Sequence, residues 1–357
     1  MAVIQRKAAM NLDIISKHRG PIYGLAILWI VIFHGGAINS VDFSFGMSAL
    51  MPLKRFIAAG NVGVDMFLFL SGVCLYFSFT RNGNIVEFLG KRFVRILPAV
   101  WLVDGIYWLV YYGLIKGDWL GFASRMTLTR FWMTGDSSIW FVSLILLLYL
   151  LFPLIYLYLF DAKAKYSGFL RLLVLMATTY ALNLLFWKLN TDLYNMVEIA
   201  TTRIPVFILG IWVGQFVYEK RKLPRVFVVL APLCAIFFLL VFGFKLLDYP
   251  ALRFFYLVGG VSLSYTVALI CTLFDKLPEK KRLLYRFLAW TGGFSLELYI
   301  THIALNQILR HQSFYVKGDL MQYALVAIAA FVLAWAVMKI VNFGRAALKK
   351  RKMSQPA

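Results

Sequence analysis

Long apolar runs alternate with short, mostly basic segments along nearly the whole chain. Ten of these runs approach or reach the roughly 17–25 residues that an α-helix needs to cross a hydrocarbon core. The pattern predicts an all-α integral membrane protein with about ten transmembrane helices. The predicted spans lie near residues 21–38, 62–80, 96–115, 138–160, 169–188, 203–218, 226–247, 254–274, 287–309 and 320–341.

The segments between the predicted spans are too short to form a second folded domain. We therefore expect a basic N-terminal segment at 1–20, one membrane domain at 21–343 and a basic tail at 344–357. The first apolar run is long and is not followed by a small-residue cleavage site, which argues against a cleavable signal peptide. The three cysteines lie within spans and lack CxxC spacing, so we expect no metal site.

The charge of the chain is strongly positive, with 37 Lys and Arg against 16 Asp and Glu. A net charge of +21 is compatible with nucleic-acid binding, but the distribution of the charge argues against such a partner. If ten spans alternate in direction, most basic residues fall on the side that holds both termini. This asymmetry predicts that both termini are cytoplasmic and that the basic residues face the anionic surface of a lipid bilayer.

We single out four of the ionisable residues within the predicted spans, where such groups are costly and usually have a function. His34 lies in the outer part of the first span, and Asp65 lies about one turn below the outer face in the second. Glu297 falls near the middle of the ninth span, and His302 falls near the depth of His34. Because imidazole is the commonest general base near neutral pH, His34 and Asp65 together indicate proton transfer or transport within the membrane.

Each of these residues also has a purely structural interpretation. His34 and His302 can hydrogen-bond neighbouring helices, and Glu297 can bond a Ser or Thr between helices. Asp65 can interact favourably with the dipole at a helix N-terminus. His18 lies outside the spans, and we interpret it as a surface histidine.

A basic cluster precedes the third span in the segment KRFVRILP, residues 91–98. The i,i+3 and i,i+4 spacing of Lys91, Arg92 and Arg95 lets all three side chains face one way on a helix. Cations at a helix N-terminus suit phosphate binding, although an anchor at the cytoplasmic face explains them as well.

Five motifs occur in a fixed order over most of the chain. They are YGLAILWIVIFH (23–34), GVDMFLFLSG (63–72) followed by the basic cluster, SSIWFVSLILLLYLLFP (137–153), RIPVFILG (203–210) and FSLELYITH (294–302). Together they resemble the membrane-bound acyltransferase-3 family, whose members carry about ten spans. Members of that family move acyl groups, often acetyl from a coenzyme A thioester, onto sugars of envelope polysaccharides.

The resemblance implies an O-acetyltransferase that is a multi-pass protein of a bacterial plasma membrane. Acetyl-CoA would be the donor on the cytoplasmic side, and a hydroxyl of an envelope or exported carbohydrate would be the acceptor on the outer side. His34 would act as a general base or as a nucleophile that carries the acyl group, with Asp65 or Glu297 orienting its ring. The implied site residues are His34, Asp65, Glu297 and His302 for catalysis and Lys91, Arg92 and Arg95 for the donor.

The chain departs from the family pattern in two places. The family usually has an arginine eleven residues before the histidine, and that position is Tyr23 here. Arg19 lies one turn lower on nearly the same face and can snorkel toward the site, so we name it as a further candidate for donor binding. Many relatives carry an esterase-like domain, which we do not expect because the chain ends in a basic tail at Ala357. Arg203, which opens the sixth span, fits either an interfacial anchor or a cation on the acceptor side.

The competing function is a multi-span transporter or a flippase of a sugar or lipid-linked sugar. Buried His, Asp and Glu side chains also occur in proton-coupled carriers. The chain shows no inverted repeat and no matching pair of broken helices, which favours the enzyme. The sequence leaves open the acceptor, the acyl chain and the oligomeric state.

Overall fold

A computed structural model describes residues 11–35, 51–161, 165–248, 251–316 and 319–354 of the chain. The structure is 84% helical and has no strands among these residues. The protein is therefore an all-α integral membrane protein, as its apolar runs predict.

In the described part of the chain, ten helices have 15 or more residues. They are α1 (Arg19–His34), α2 (Gly63–Arg81), α3 (Ile85–Val100), α4 (Trp140–Phe160), α5 (Gly168–Leu189), α6 (Ile204–Tyr218), α7 (Val226–Phe244), α8 (Ala251–Phe274), α9 (Ser295–Arg310) and α10 (Leu320–Ser354).

Shorter helical segments connect or extend these helices. The α-helical ones are Ile14–Lys17, Met51–Ala58, Ile106–Trp108, Trp119–Met126, Arg130–Thr134, Thr191–Thr201 and Leu283–Gly292. The segments Ala59–Val62 and Glu279–Lys281 are 3₁₀-helical, and Trp101–Gly105 and Leu109–Ile115 are π-helical.

Eight helical stretches among the described residues are long and apolar enough to cross a membrane. They are Lys54–Arg81, Ile85–Ile115, Trp140–Phe160, Gly168–Leu189, Thr191–Tyr218, Val226–Phe244, Ala251–Phe274 and Leu320–Ala347. The other two predicted spans fall on α1, which has only 16 residues, and on a region divided into Leu283–Gly292 and α9. The count of ten spans and the cytoplasmic termini stay predictions, as do the domain boundaries, one of which α10 crosses without a break.

The contact between α2 and α6 is the most extensive between any two helices of the described chain. Glycines allow this close approach, because a Cβ added at Gly210 would overlap with the backbone of Phe69, and one at Gly72 would overlap with that of Phe207. Small residues commonly allow such contacts in membranes, where dispersion and not the hydrophobic effect holds helices together. The contact fixes Asp65 on α2 relative to Arg203, the residue that precedes α6.

The segment Leu283–Gly292 packs closely along α1, where a Cβ added at Gly24 would overlap with the backbone of Leu288. The helix then breaks after Gly292, and α9 begins at Ser295. Helix α9 packs against both α1 and α10. This arrangement brings the middle of α9 to the C-terminal end of α1.

Candidate active site

The last residue of α1, His34, forms a hydrogen bond with His302 of α9. The distance from His34 Nδ1 to His302 Nε2 is 2.8 Å, and the ring planes are inclined by 21°. The His302 side chain is fully buried, whereas His34 is partly exposed. The two intramembrane histidines that the sequence places at similar depth are therefore in direct contact.

The hydrogen-bond network assigns the protons of the two neutral rings. His302 Nδ1 lies 2.8 Å from the carbonyl oxygen of Leu298, which can only accept, so this nitrogen carries the proton. Nε2 of the neutral His302 ring is then an acceptor, and His34 Nδ1 must donate to it. The proton of His34 thus lies on Nδ1, and its Nε2 keeps an unshared electron pair. The arrangement prepares this nitrogen to accept a proton or to attack an electrophile.

Glu297 lies on the same helix as His302 but pairs with Arg95 of α3. Arg95 donates from both terminal nitrogens, Nη1 to Oε1 and Nη2 to Oε2, the second over 3.2 Å. Glu297 is fully buried, and its carboxylate forms no hydrogen bond with His34 in the described chain. The expectation that Glu297 orients His34 is therefore wrong, since the ring of His302 occupies that position.

Asp65 is also paired with an arginine and does not contact His34. Its Oδ2 lies 3.2 Å from Nε of Arg203, and both side chains are almost completely buried. The guanidinium of Arg203 lies over the rings of Trp140 and Tyr256, at 5.0 and 5.2 Å from their centroids. Arg203 is thus not an interfacial anchor, and the expected contact between Asp65 and His34 is wrong.

A cavity of about 170 Å³ lies near the histidine pair, although neither histidine is among its lining residues. Its walls include Arg95, Ile30, which lies one helical turn before His34, and Tyr299, whose ring is 5.6 Å from that of His302. Tyr23 and Tyr149 add polar groups to the same walls. The cavity therefore extends from Arg95 to side chains of α1 and α9 that neighbour the two histidines.

The basic residues named from the sequence divide into two groups. Arg92 and Arg95 both lie within electrostatic range of Tyr149 in the cavity wall. Arg19 and Arg92 also lie within electrostatic range of Cys74, which neighbours Tyr23 of the cavity wall. Arg95 thus lines the cavity, whereas Arg92 and Arg19 lie farther out near its wall, and Arg19 approaches Tyr23, the position of the missing family arginine. The exception is Lys91, which pairs with Glu87 over 2.6 Å and is mostly exposed.

Sequence reasoning overlooked several buried charges near the site. Glu198 pairs with Arg253, with 2.9 Å between Oε2 and Nε. Asp104 is fully buried in the π-helical part of the third span, and neither of its oxygens is hydrogen-bonded within the described chain. The position of Asp104 within predicted span 96–115 was the available signal, since ionisable residues inside spans are usually functional.

The interpretation of His18 as a surface residue is wrong. The side chain is fully buried, with Nδ1 3.1 Å from the Tyr285 hydroxyl and Nε2 3.4 Å from Oδ2 of Asp275. Burial lowers the pKa of His18 below its usual value of 6.5, against the opposing charge of Asp275. The residue joins the N-terminal segment to the polar connection after α8.

The comparison with known families agrees with this geometry. The family profile described as an acyltransferase domain, Acyl_transf_3, matches residues 24–339. No curated protein and no solved structure gives a significant match. The matched region includes both histidines, the paired carboxylates, Arg92 and Arg95. The chain belongs to the acyltransferase-3 family and is a membrane-embedded acyltransferase.

Proposed function

We propose that the protein transfers an acetyl group from acetyl-CoA to a hydroxyl of an envelope or exported carbohydrate. The observation that carries the proposal is the hydrogen-bonded pair of His302 and His34 near a cavity that Arg95, Ile30 and Tyr299 line. On the predicted topology, the arginine end of the cavity faces the cytoplasm, where coenzyme A is found.

The cavity suits the slim part of such a donor. Coenzyme A is too highly charged to enter an apolar bundle, so its phosphates would stay among the arginines at the cavity entrance. The narrow pantetheine arm would occupy the cavity and bring the thioester toward His34. The acceptor hydroxyl would approach from the opposite side of the membrane.

The proton assignment gives His34 Nε2 a defined role. As the acceptor oxygen attacks the thioester carbonyl carbon, Nε2 takes the hydroxyl proton, and the C–S bond breaks when the intermediate collapses. The same proton then passes to the leaving thiolate, so that His34 returns to its starting state. His302 accepts the Nδ1–H bond throughout, which fixes the tautomer and stabilises the transient imidazolium, as a carboxylate does in a Ser-His-Asp triad.

The same tautomer also permits nucleophilic catalysis. Nε2 would attack the thioester carbonyl, release the thiolate and then deliver the acyl group to the hydroxyl. The two routes differ in whether the donor reacts before the acceptor arrives. Release of coenzyme A from labelled acetyl-CoA in a single turnover without acceptor would favour the acyl-histidine route.

The test of the function compares His34→Ala with His311→Ala in cells and as purified protein. His311 ends α9 outside the cavity and is exposed, so its loss controls for removal of a histidine. We expect His34→Ala to insert normally and to lower acetyl transfer by about 10²–10⁴-fold. We expect His311→Ala to retain activity. Normal O-acetylation of envelope glycans by well-expressed His34→Ala protein would refute the proposal.

The same preparations test the transporter alternative. Reconstituted wild-type protein would receive labelled acetyl-CoA on one side and candidate sugars on the other. Release of coenzyme A that depends on His34 supports the enzyme. Movement of a sugar across the membrane without release of coenzyme A would support a carrier.

A further inference from the structure

One of the arginines that the sequence assigns to the donor, Arg95, is committed to a carboxylate. Both of its terminal nitrogens donate to Glu297, and the Glu297 side chain has no exposed surface. Such a bidentate pair is close to neutral as a unit, and breaking it would leave a buried charge uncompensated. Arg95 therefore has little capacity left for a second anion.

Arg345 of α10 approaches this ion pair from another side. Helix α10 packs against α9, which carries Glu297, and against α3, which carries Arg95. Arg345 lies within electrostatic range of both residues. Its Nε and Nη2 atoms are buried, and neither has a hydrogen-bond partner in the described chain. Buried guanidinium donors without an acceptor are costly, so this arrangement favours an anionic ligand.

Arg92, near the same end of the cavity, also has a buried donor atom without an acceptor. Its Nε is buried without a hydrogen-bond partner among the described residues, and its guanidinium lies 5.4 Å from the centroid of the Phe88 ring. Arg95 and Arg345 share one carboxylate, Glu297, and Arg92 adds a third cation beside Tyr149 of the cavity wall, so positive charge is in excess. The planar guanidinium group matches the geometry of phosphate oxygens.

We propose that Arg345, together with Arg92, binds the phosphate groups of the acyl donor at the entrance of the cavity. The Arg95–Glu297 pair then forms a rigid part of the cavity wall and orients α9 relative to α3. This inference depends on the proposed acyl-CoA donor, and it assigns to the last helix a role that the sequence attributed only to membrane orientation.

The test compares two donors that differ in their phosphates. Acetyl-CoA carries the phosphates, whereas S-acetylpantetheine presents the same thioester without any. We expect Arg345→Gln to raise the KM for acetyl-CoA about tenfold or more, because it removes a charge-assisted contact. The KM for S-acetylpantetheine and the kcat with either donor should remain close to wild type.

Matched variants separate binding from folding. Lys339→Gln removes a positive charge from an exposed position of the same helix, where the ammonium lies over the Trp335 ring, and it should leave both KM values unchanged. Arg345→Lys should give an intermediate KM for acetyl-CoA, since lysine keeps the charge but not the fork of donors. If Arg345→Gln does not fold, Arg345→Lys and Arg92→Gln carry the same comparison.

Three results would overturn the inference. An unchanged KM for acetyl-CoA in Arg345→Gln would exclude a phosphate contact. An equal loss with both donors would show that Arg345 only balances Glu297. A KM effect that appears in phosphatidylglycerol nanodiscs but is absent in phosphatidylcholine nanodiscs would assign the site to a lipid headgroup. Failure of the wild-type protein to use either thioester would instead contradict the proposed function.

Discussion

Replacing His302 by Phe tests the role of the second imidazole. The ring of Phe fills similar space but cannot accept the hydrogen bond that His34 Nδ1 donates over 2.8 Å. That bond becomes charge-assisted when His34 takes the substrate proton, and such bonds contribute about 1.5–3 kcal/mol. At about 1.4 kcal/mol for each factor of ten, we expect kcat to fall by roughly 10–150-fold. The KM for acetyl-CoA should change little, because the proposed phosphate site lies at the other end of the cavity.

The assay is steady-state release of coenzyme A by purified protein, with His302→Gln as the rescue variant. The side-chain oxygen of Gln can accept the Nδ1–H bond, so this variant should recover much of the lost kcat. His311→Phe, at the exposed residue that follows the same helix, controls for a general effect of the substitution. Full kcat in His302→Phe would refute the orienting role. Equal losses in the Gln and Phe variants would show that packing, and not the hydrogen bond, was removed.

Three further predictions concern the scaffold around the site. Asp65→Asn should destabilise the protein by about 3–5 kcal/mol by leaving Arg203 buried without an anion, and adding Arg203→Met should restore part of the unfolding temperature. Gly210→Ala should cost about 1–3 kcal/mol by overpacking, whereas Gly83→Ala, with open space around it, should not lower the unfolding temperature. Burial lowers the pKa of His18, so the unfolded chain binds more protons than the folded protein at about pH 6. The free energy of unfolding of the wild-type protein should therefore decline as the pH falls below about 6.5, and it should decline less steeply in His18→Gln.

Much of the fold could be predicted from hydropathy alone, because a membrane span must be long and apolar. Two predicted spans differ from the structure, because in each of them a helix ends or breaks within the apolar run. Helix α1 ends at His34 after 16 residues, and the ninth predicted span breaks between Gly292 and Ser295. Hydropathy averaged over a window of residues does not detect such a break. The adjacent glycines at 292 and 293 do indicate one, because glycine pairs commonly interrupt helices.

The candidate site was only partly readable from the sequence. Depth follows from counting residues along a helix, and this count placed His34 and His302 at one level. The partner of each buried side chain also depends on which helices are neighbours and how each helix is rotated about its axis. The pattern of residues along one chain does not contain this information. Asp65 and Glu297 were therefore assigned to His34, although arginines on other helices are their partners.

The pairing of carboxylates with arginines gives a physical reason for a histidine at position 302. A carboxylate buried in the bundle is costly unless a cation accompanies it, and three of the four buried carboxyl groups of the described chain, those of Glu297, Asp65 and Glu198, have an arginine partner. A carboxylate placed beside His34 would need its own cation, which would oppose formation of the imidazolium during the reaction. A neutral imidazole accepts the same hydrogen bond with no net charge and needs only the Leu298 carbonyl to fix its tautomer. In the proposed mechanism, the positive charge on His34 has no permanent counterion. The proton would then have to pass quickly to the thiolate, which requires the leaving sulfur to stay within hydrogen-bond reach of Nε2.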